Sequence, residues 1–325
     1  MGEMTYRQAI GKAIADELSF DPDVFLMGED VAAAGGVFKT TEGLLETFGA
    51  VRIRDTPISE QALVGCALGA AIMGLRPVVE IMFADFAGVC FDQIANQLAK
   101  YRYLSGGQSS VPVTLRLSNG AGLGFGAQHS QPVENWFLNI PGLKIVTPST
   151  VADMYGLLRS AIRDANPVLV FEHKGLHSLR GSVDRALVPI GRASTVRDGE
   201  AVTVVATQLM LHRALAVAQS LGDEGISAEV IDLRTLVPMD VESVAKSVER
   251  TSRLVCVQEG PLGGGWAASL VSEIVRSHFY HLEAPPRIVA SDPIPVPYAK
   301  NLEDSWLPSE ERIRAALRAS VADTA

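Results

Sequence analysis

The sequence is short of cysteine, of positive charge and of long apolar runs, and each shortage removes a class of protein. Three cysteines, Cys66, Cys90 and Cys256, stand far apart, with no CxxC pair and no histidine at metal-ligand spacing. Neither a zinc site nor a disulfide framework is indicated. Each cysteine lies among apolar neighbours and is expected to be a buried thiol. Twenty-eight Lys plus Arg stand against 37 Asp plus Glu, a net charge of −9. No global positive field exists to collect phosphate backbones, so nucleic acid is not expected as a partner. The longest uncharged apolar run, residues 62–75, has 14 residues, short of the roughly 20 that cross a bilayer. The opening MGEMTYRQAI lacks the basic-then-apolar order of a signal peptide, and Tyr6 fails the Ser/Thr position of a myristoylation motif. A cytoplasmic protein without membrane contact is the expectation.

What is present is ordinary globular material, 325 residues with 47% hydrophobic and 20% charged, enough for two domains with their own cores. Apolar β-branched runs at 24–27, 78–83, 111–117, 143–147 and 168–173 alternate with stretches of helical period. This alternation predicts a mostly parallel sheet covered by helices. Thr5-x-x-Gln8 and Thr150-x-x-Asp153 read as capping boxes. From 181 to 200 the pattern breaks into polar and turn-forming residues, and a second α/β series follows, with strands expected at 202–207, 228–233, 254–258 and 287–290. The expected division is a first domain at 1–185, a linker at 186–200 and a second domain at 201–325. Pro293, Pro295 and Pro297 exclude a central strand there and predict an extended surface segment.

Several stretches could carry chemistry. GAGLGFG (120–126) follows a strand but lacks the helix and the downstream acid of a dinucleotide fingerprint. It reads as backbone that must pass close to something. No GxxxxGK[ST], GxSxG or HExxH occurs. In DTPISEQALVG, Ser59 can cap a helix whose first turn holds Glu60. Attraction to the helix dipole explains such a Glu, and a carboxylate held against a ligand is the alternative. His129 lies in a loop and not on an apolar face, which leaves a structural and a ligand-facing role both open.

Taken together, GEDV (28–31), GGVFK (35–39), DTPISE (55–60), the DF and DQI of DFAGVCFDQI, SGGQ (105–108), QHSQ (128–131), PGLK (141–144), AIRD with NP (161–167) and PYAKNLE (297–303) are familiar wording. The chain resembles the β subunit of the thiamine-diphosphate-dependent 2-oxoacid dehydrogenases, the decarboxylating component of the pyruvate and branched-chain complexes, whose group includes the acetoin-cleaving enzymes. The resemblance implies a pyrimidine-binding α/β domain followed by a transketolase C-terminal α/β domain. It implies a heterotetramer of two α and two β chains, in which the α chain holds the diphosphate and Mg²⁺ through a GDG motif that this sequence lacks.

By the same resemblance Glu60 hydrogen-bonds N1′ of the aminopyrimidine, which favours the imino tautomer whose nitrogen takes the proton from the thiazolium carbon. The acyl unit then passes to a lipoyl group of an acyltransferase core, docked through the C-terminal domain. Met82 and Phe86 are implied to line the pyrimidine pocket with Ile58 adjoining, and His129 to face the 2-oxoacid or acetoin substrate. Val113, Ala161, Ile162, Asp164 and Asn166 map to a monovalent cation site, K⁺ in relatives. Asn135, Asn139, His177 and Gln258 depart from the common pattern of the family, which leaves open the choice among pyruvate, branched-chain 2-oxoacid and acetoin. An acetoin dehydrogenase β subunit is the alternative reading, and a non-catalytic scaffold subunit the one from another class.

Overall fold

Strands form where β-branched and apolar residues run together, and half of the described α-helices open at a Ser, Thr or Asp whose side chain accepts from the first turn. The computed structural model describes residues 2–184 and 186–323, so the first expected boundary, at residue 185, lies outside the described residues. Two compact units result, one of residues 1–119 with 136–190 and the other of 120–135 with 191–325.

In the first unit, β1 (Glu3–Thr5) leads into α1 (Tyr6–Phe20), opened by a complete capping box. Thr5 Oγ1 accepts from the Gln8 N–H at 3.2 Å, and Gln8 Oε1 accepts from the Thr5 N–H at 2.8 Å. There follow β2 (Val24–Gly28), α2 (Leu44–Phe48), β3 (Ile53–Asp55), α3 (Glu60–Ile72), β4 (Arg76–Ile81), α4 (Ala99–Leu104), β5 (Thr114–Asn119), β6 (Lys144–Val146), α5 (Val151–Arg163), β7 (Val168–His173) and β8 (Arg180–Ser182). The strands of the main sheet in this unit run in the order β6, β7, β5, β4, β2, β3, all pairs parallel. β1 pairs separately and antiparallel with β8. α1 and α5 bury Ile10, Ile14 and Leu18 and Met154, Leu157, Leu158, Ala161 and Ile162, the faces read from their periods. They are joined by Glu17, 1% exposed, which accepts from Arg159 at 2.7 Å and Arg163 at 2.8 Å.

The second unit contains β9 (Ser194–Arg197), β10 (Val202–Ala206), α6 (Gln208–Gly222), β11 (Ala228–Asp232), β12 (Thr235–Val237), α7 (Val241–Thr251), β13 (Leu254–Pro261), α8 (Trp266–His278), β14 (Arg287–Ser291), α9 (Lys300–Trp306) and α10 (Glu310–Ala322). Its sheet runs β14, β13, β10, β11, β9, parallel except for the last strand. β9 lies inside the stretch read as a linker. It is a four-residue edge strand, Ser-Thr-Val-Arg, with no buried residue, so it lacks the apolar signal that a central strand carries. The short β3 also escaped the sequence reading, because VRIRD has too few apolar residues for a period. Val204, Leu211, Val230, Val257, Ile313 and Leu317 are among the residues of the second core.

Two of the three cysteines, Cys90 and Cys256, are buried, but Cys66 is exposed. α3 is apolar on all sides, so apolar neighbours did not imply burial. No helix among the described residues is long and apolar enough to cross a membrane.

Candidate functional site

The chain leaves β2, crosses to β3 on one side, and returns through α3 to β4 on the other, so the loops beyond β2 and β4 diverge. Such a switch point at the carboxyl ends of parallel strands is where open α/β sheets bind ligands. Glu29 directly follows β2, Met82 directly follows β4, and Glu60 opens α3 after β3. Ser59 caps that helix, its hydroxyl accepting from the Ala62 N–H at 3.4 Å.

Glu29 is 7% and Glu60 8% exposed. Burial first, and Glu60 beside it second, push the Glu29 carboxyl above its usual range, and the hydrogen bond from the Ser59 backbone only partly offsets this. Glu29 Oε1 is buried with no hydrogen-bond partner. Cys90 closes the cluster: burial and then Glu60 push its thiol up to about 12, and its Sγ donates to Phe86 O at 3.7 Å. Phe86 and Met82 are half-buried, whereas Ile58 is 85% exposed. Glu60, Met82 and Phe86 thus share one end of one sheet. An acidic pair with an orphaned buried oxygen is a site built to receive hydrogen-bond donors. That chemistry fits an aminopyrimidine.

Beneath this rim lies a set of buried charges that the sequence reading overlooked. Arg116 in β5 is 1% exposed. Its Nε and Nη2 donate to both oxygens of Glu172 at 2.7 and 3.0 Å, its Nη1 to Glu80 at 2.6 Å, and its Nη2 to Thr40 at 3.2 Å. Thr40 in turn donates to Glu80 at 3.3 Å, so the cluster tethers the loop that follows β2. At the other end of that loop, Asp55 accepts from the N–H groups of Ala32 and Ala33 at 2.7 and 3.3 Å. A single acid or guanidinium set among apolar neighbours in each of three strand stretches, VVEIM, TLRLS and LVFEH, was the available signal.

The residues mapped to a cation site do converge at the end of α5, and basic side chains already engage them. Arg76 Nη1 donates to Ile162 O at 3.1 Å and Asp164 O at 3.2 Å. Lys144 pairs with the Asp164 carboxylate, and Arg102 donates to Asn166 Oδ1 at 2.6 Å. Ala161 O and Val113 O accept from the N–H groups of Asp164 and Val168. Burial would raise the Asp164 carboxyl, but Lys144 and Asn166 outweigh it and hold the group below its usual value. Three positive side chains around one set of oxygens do not fit a further cation in this arrangement.

His129 belongs to the second unit, on the segment 120–135. Two of the departures from the family pattern anchor that unit. Asn135 Oδ1 accepts from the Trp266 N–H at 3.0 Å, and Gln258 Oε1 accepts from the Ala267 N–H at 3.0 Å while its Nε2 donates to Pro261 O at 2.7 Å. Both side chains satisfy amides at the start of α8, whose own N-cap, Gly265, has none to offer. Asn135→Ala therefore costs about 0.5–2 kcal/mol, to be read from thermal denaturation of the variant. His177 packs in the first unit against Tyr6 and Phe38, with ring centroids at 6.2 and 5.2 Å. Burial first, then Arg116, His173, Lys174 and Arg7, hold it neutral with a pKa of about 3. Nothing in the structure explains Asn139.

Residues 2–178 match the transketolase pyrimidine binding domain, and residues 191–313 match the transketolase C-terminal domain. The chain is 45% identical over 328 residues to the acetoin:2,6-dichlorophenolindophenol oxidoreductase subunit beta of Cupriavidus necator, covering 97% of each. It is 44% identical to the mitochondrial pyruvate dehydrogenase E1 component subunit beta-1 of Arabidopsis thaliana, covering 98% of this chain and 89% of that one. Against the pyruvate dehydrogenase E1 component subunit beta of Rickettsia felis the identity is 42%, over 97% of this chain and 98% of the relative. Among solved structures, a split-gene transketolase described as an inactive beta4 tetramer superposes with a TM-score of 0.83 at 21% identity, over 99% of this chain and all of the other. That likeness speaks to the fold.

Proposed function

This chain belongs to the transketolase-like family of pyruvate and acetoin dehydrogenase β subunits, and from there we propose that it is the β subunit of the decarboxylating component of a 2-oxoacid dehydrogenase. The observation that carries the reading is the buried Glu29–Glu60 pair at the switch point, flanked by Met82 and Phe86.

In this reading Glu60 holds a proton at the ring nitrogen of an aminopyrimidine, and its position in the first turn of α3 keeps the carboxylate aimed from a rigid element. Glu29 offers the second acceptor. Met82 and Phe86 exclude water from the ring, which strengthens the charged hydrogen bond by lowering the local dielectric. Bound thiamine diphosphate supplies the electron sink for decarboxylation. His129 is a candidate to hold the substrate carboxylate or relay a proton during acyl transfer. The diphosphate and Mg²⁺ fall to an α chain, since this sequence has no GDG. An assembly of two α and two β chains, and a lipoyl-bearing acyltransferase met by the second unit, complete the proposal.

Identities of 45% and 44% do not separate acetoin from pyruvate. Asn135, by contrast, has a structural role of its own in capping α8. The isolated chain should be inactive, and co-expression with its α chain should give 2-oxoacid-dependent dye reduction with release of CO₂. Acetaldehyde from acetoin would instead select the acetoin reading. A reconstituted pair that turns over neither pyruvate, nor branched 2-oxoacids, nor acetoin would overturn both and leave the scaffold subunit.

A further inference from the structure

We infer that Glu303 is a positioning residue, whose buried carboxylate fills an amide nest in the glycine loop 120–126 and thereby fixes the segment that carries His129. The inference deepens the role given to His129 above and rests on it.

The glycine loop, which as sequence suggested backbone passing close to something, proves to pass around two carboxylates. Gly120, Gly122, Gly124 and Gly126 have φ of +89°, +105°, +72° and +73°, a region that other L residues adopt only with strain. Their repetition turns backbone N–H groups inward, as in an anion-binding nest. The anion is internal: the Gly122 N–H donates to Glu303 Oε1 at 2.8 Å, and the Gly124 N–H to Oε2 at 2.9 Å and Oε1 at 3.2 Å. Glu303 is fully buried, and a second buried acid, Glu259, accepts from the Ala121 N–H at 2.6 Å.

Both acids stand on ordered elements. Glu303 lies in α9, which Trp306 anchors by donating from its indole N–H to Asp292 O and Ile294 O at 3.0 and 3.1 Å. Glu259 lies in β13. Beyond the nest the chain turns, with the His129 N–H donating to Gly126 O at 3.3 Å. It is pinned again where Pro132 abuts Gly260, so closely that a Cβ there would meet its Cγ at 2.9 Å, and where Asn135 caps α8. His129 is therefore strung between two anchors of the same unit, and the nest is the one held by buried carboxylates, with Glu303 accepting from two of its glycines. A loop without regular secondary structure needs such a clamp to present a side chain in one place.

The test uses the α–β complex with Glu303→Gln, Glu303→Ala and His129→Ala. Glutamine keeps the shape and one acceptor oxygen but turns an NH₂ toward a glycine N–H. The expected result is faster hydrogen exchange in residues 120–131, no change in α10, and turnover lower by roughly tenfold to a hundredfold. Formate should restore turnover and protection to Glu303→Ala while leaving the unaltered complex as it was, a rescue that lost packing alone would not show. Adding Glu303→Gln to His129→Ala should cost little more, because both act through one side chain. Unchanged exchange in 120–131, or losses that multiply in the double variant, would overturn the inference. Wild-type turnover in His129→Ala would remove the role of His129 and leave exchange to judge the nest. Should Glu303→Gln fail to assemble, formate-dependent assembly of Glu303→Ala supports the nest, and assembly indifferent to formate overturns it.

Discussion

Glu60→Gln should lower turnover of the co-expressed α–β pair by about 10²–10⁴-fold, the usual contribution of a positioned acid or base, while leaving the fold and the α partner in place. Two magnitudes separate catalysis from stability here. Losing a carboxylate from the first turn of a helix costs only about 0.3–1 kcal/mol, and the Ser59 cap is untouched. Against that small loss, the change removes a charge that stands beside buried Glu29 and raises its proton affinity. The melting temperature should therefore hold steady or rise. Kinetics and thermal denaturation on the same preparation make the comparison, and near-normal turnover would reject the role assigned to Glu60.

Arg116→Met should destabilise the first unit by about 3–5 kcal/mol, the usual cost of stranding a buried ionic partner. Glu80 and Glu172 would be left without the guanidinium that stands between them, and Thr40 without one of its bonds. Burial already pushes the Glu172 carboxyl up, and Arg116 is what pulls it down. Removing the guanidinium leaves burial and the neighbouring Glu80 acting together. Calorimetry of the complex should show a transition lowered by roughly 10 °C. Replacing Glu80 and Glu172 by leucine in the same chain should recover most of that loss, because an apolar trio of similar volume is often neutral in place of buried ions. If Arg116→Met alone melts like the unaltered protein, the cluster does not hold the strand ends together.

Much of the fold was legible because its signals are local. The strand at 168–173, both hydroxyl caps at Thr5 and Thr150, and the helical faces of α1 and α5 follow from neighbouring residues only. Edge elements were not, as β3 and β9 show: half-exposed polar strands carry no period that a reader can count. The site divided along the same line. Glu60 could be proposed from a cap, an acid and a resemblance. Glu29 could not be singled out, because its meaning lies in a neighbour 31 positions away that only the sheet brings beside it. Arg116 likewise finds its partners at Glu80 and Glu172 across adjacent strands.

The sequence by itself determined two α/β units, the absence of a GDG motif for a diphosphate, and the identity of the acid at the head of α3. Those depend on composition, on period and on short ordered motifs. Tertiary structure alone decided that the loop bearing His129 is held by the second unit. It also decided that the glycine loop closes on Glu303 instead of a phosphate, and that Asn135 and Gln258 serve the start of α8. The bonds to Glu303 and Asn135 join residues 181 and 131 positions apart, where the choice of partner is made by tertiary packing and cannot be read from either residue alone.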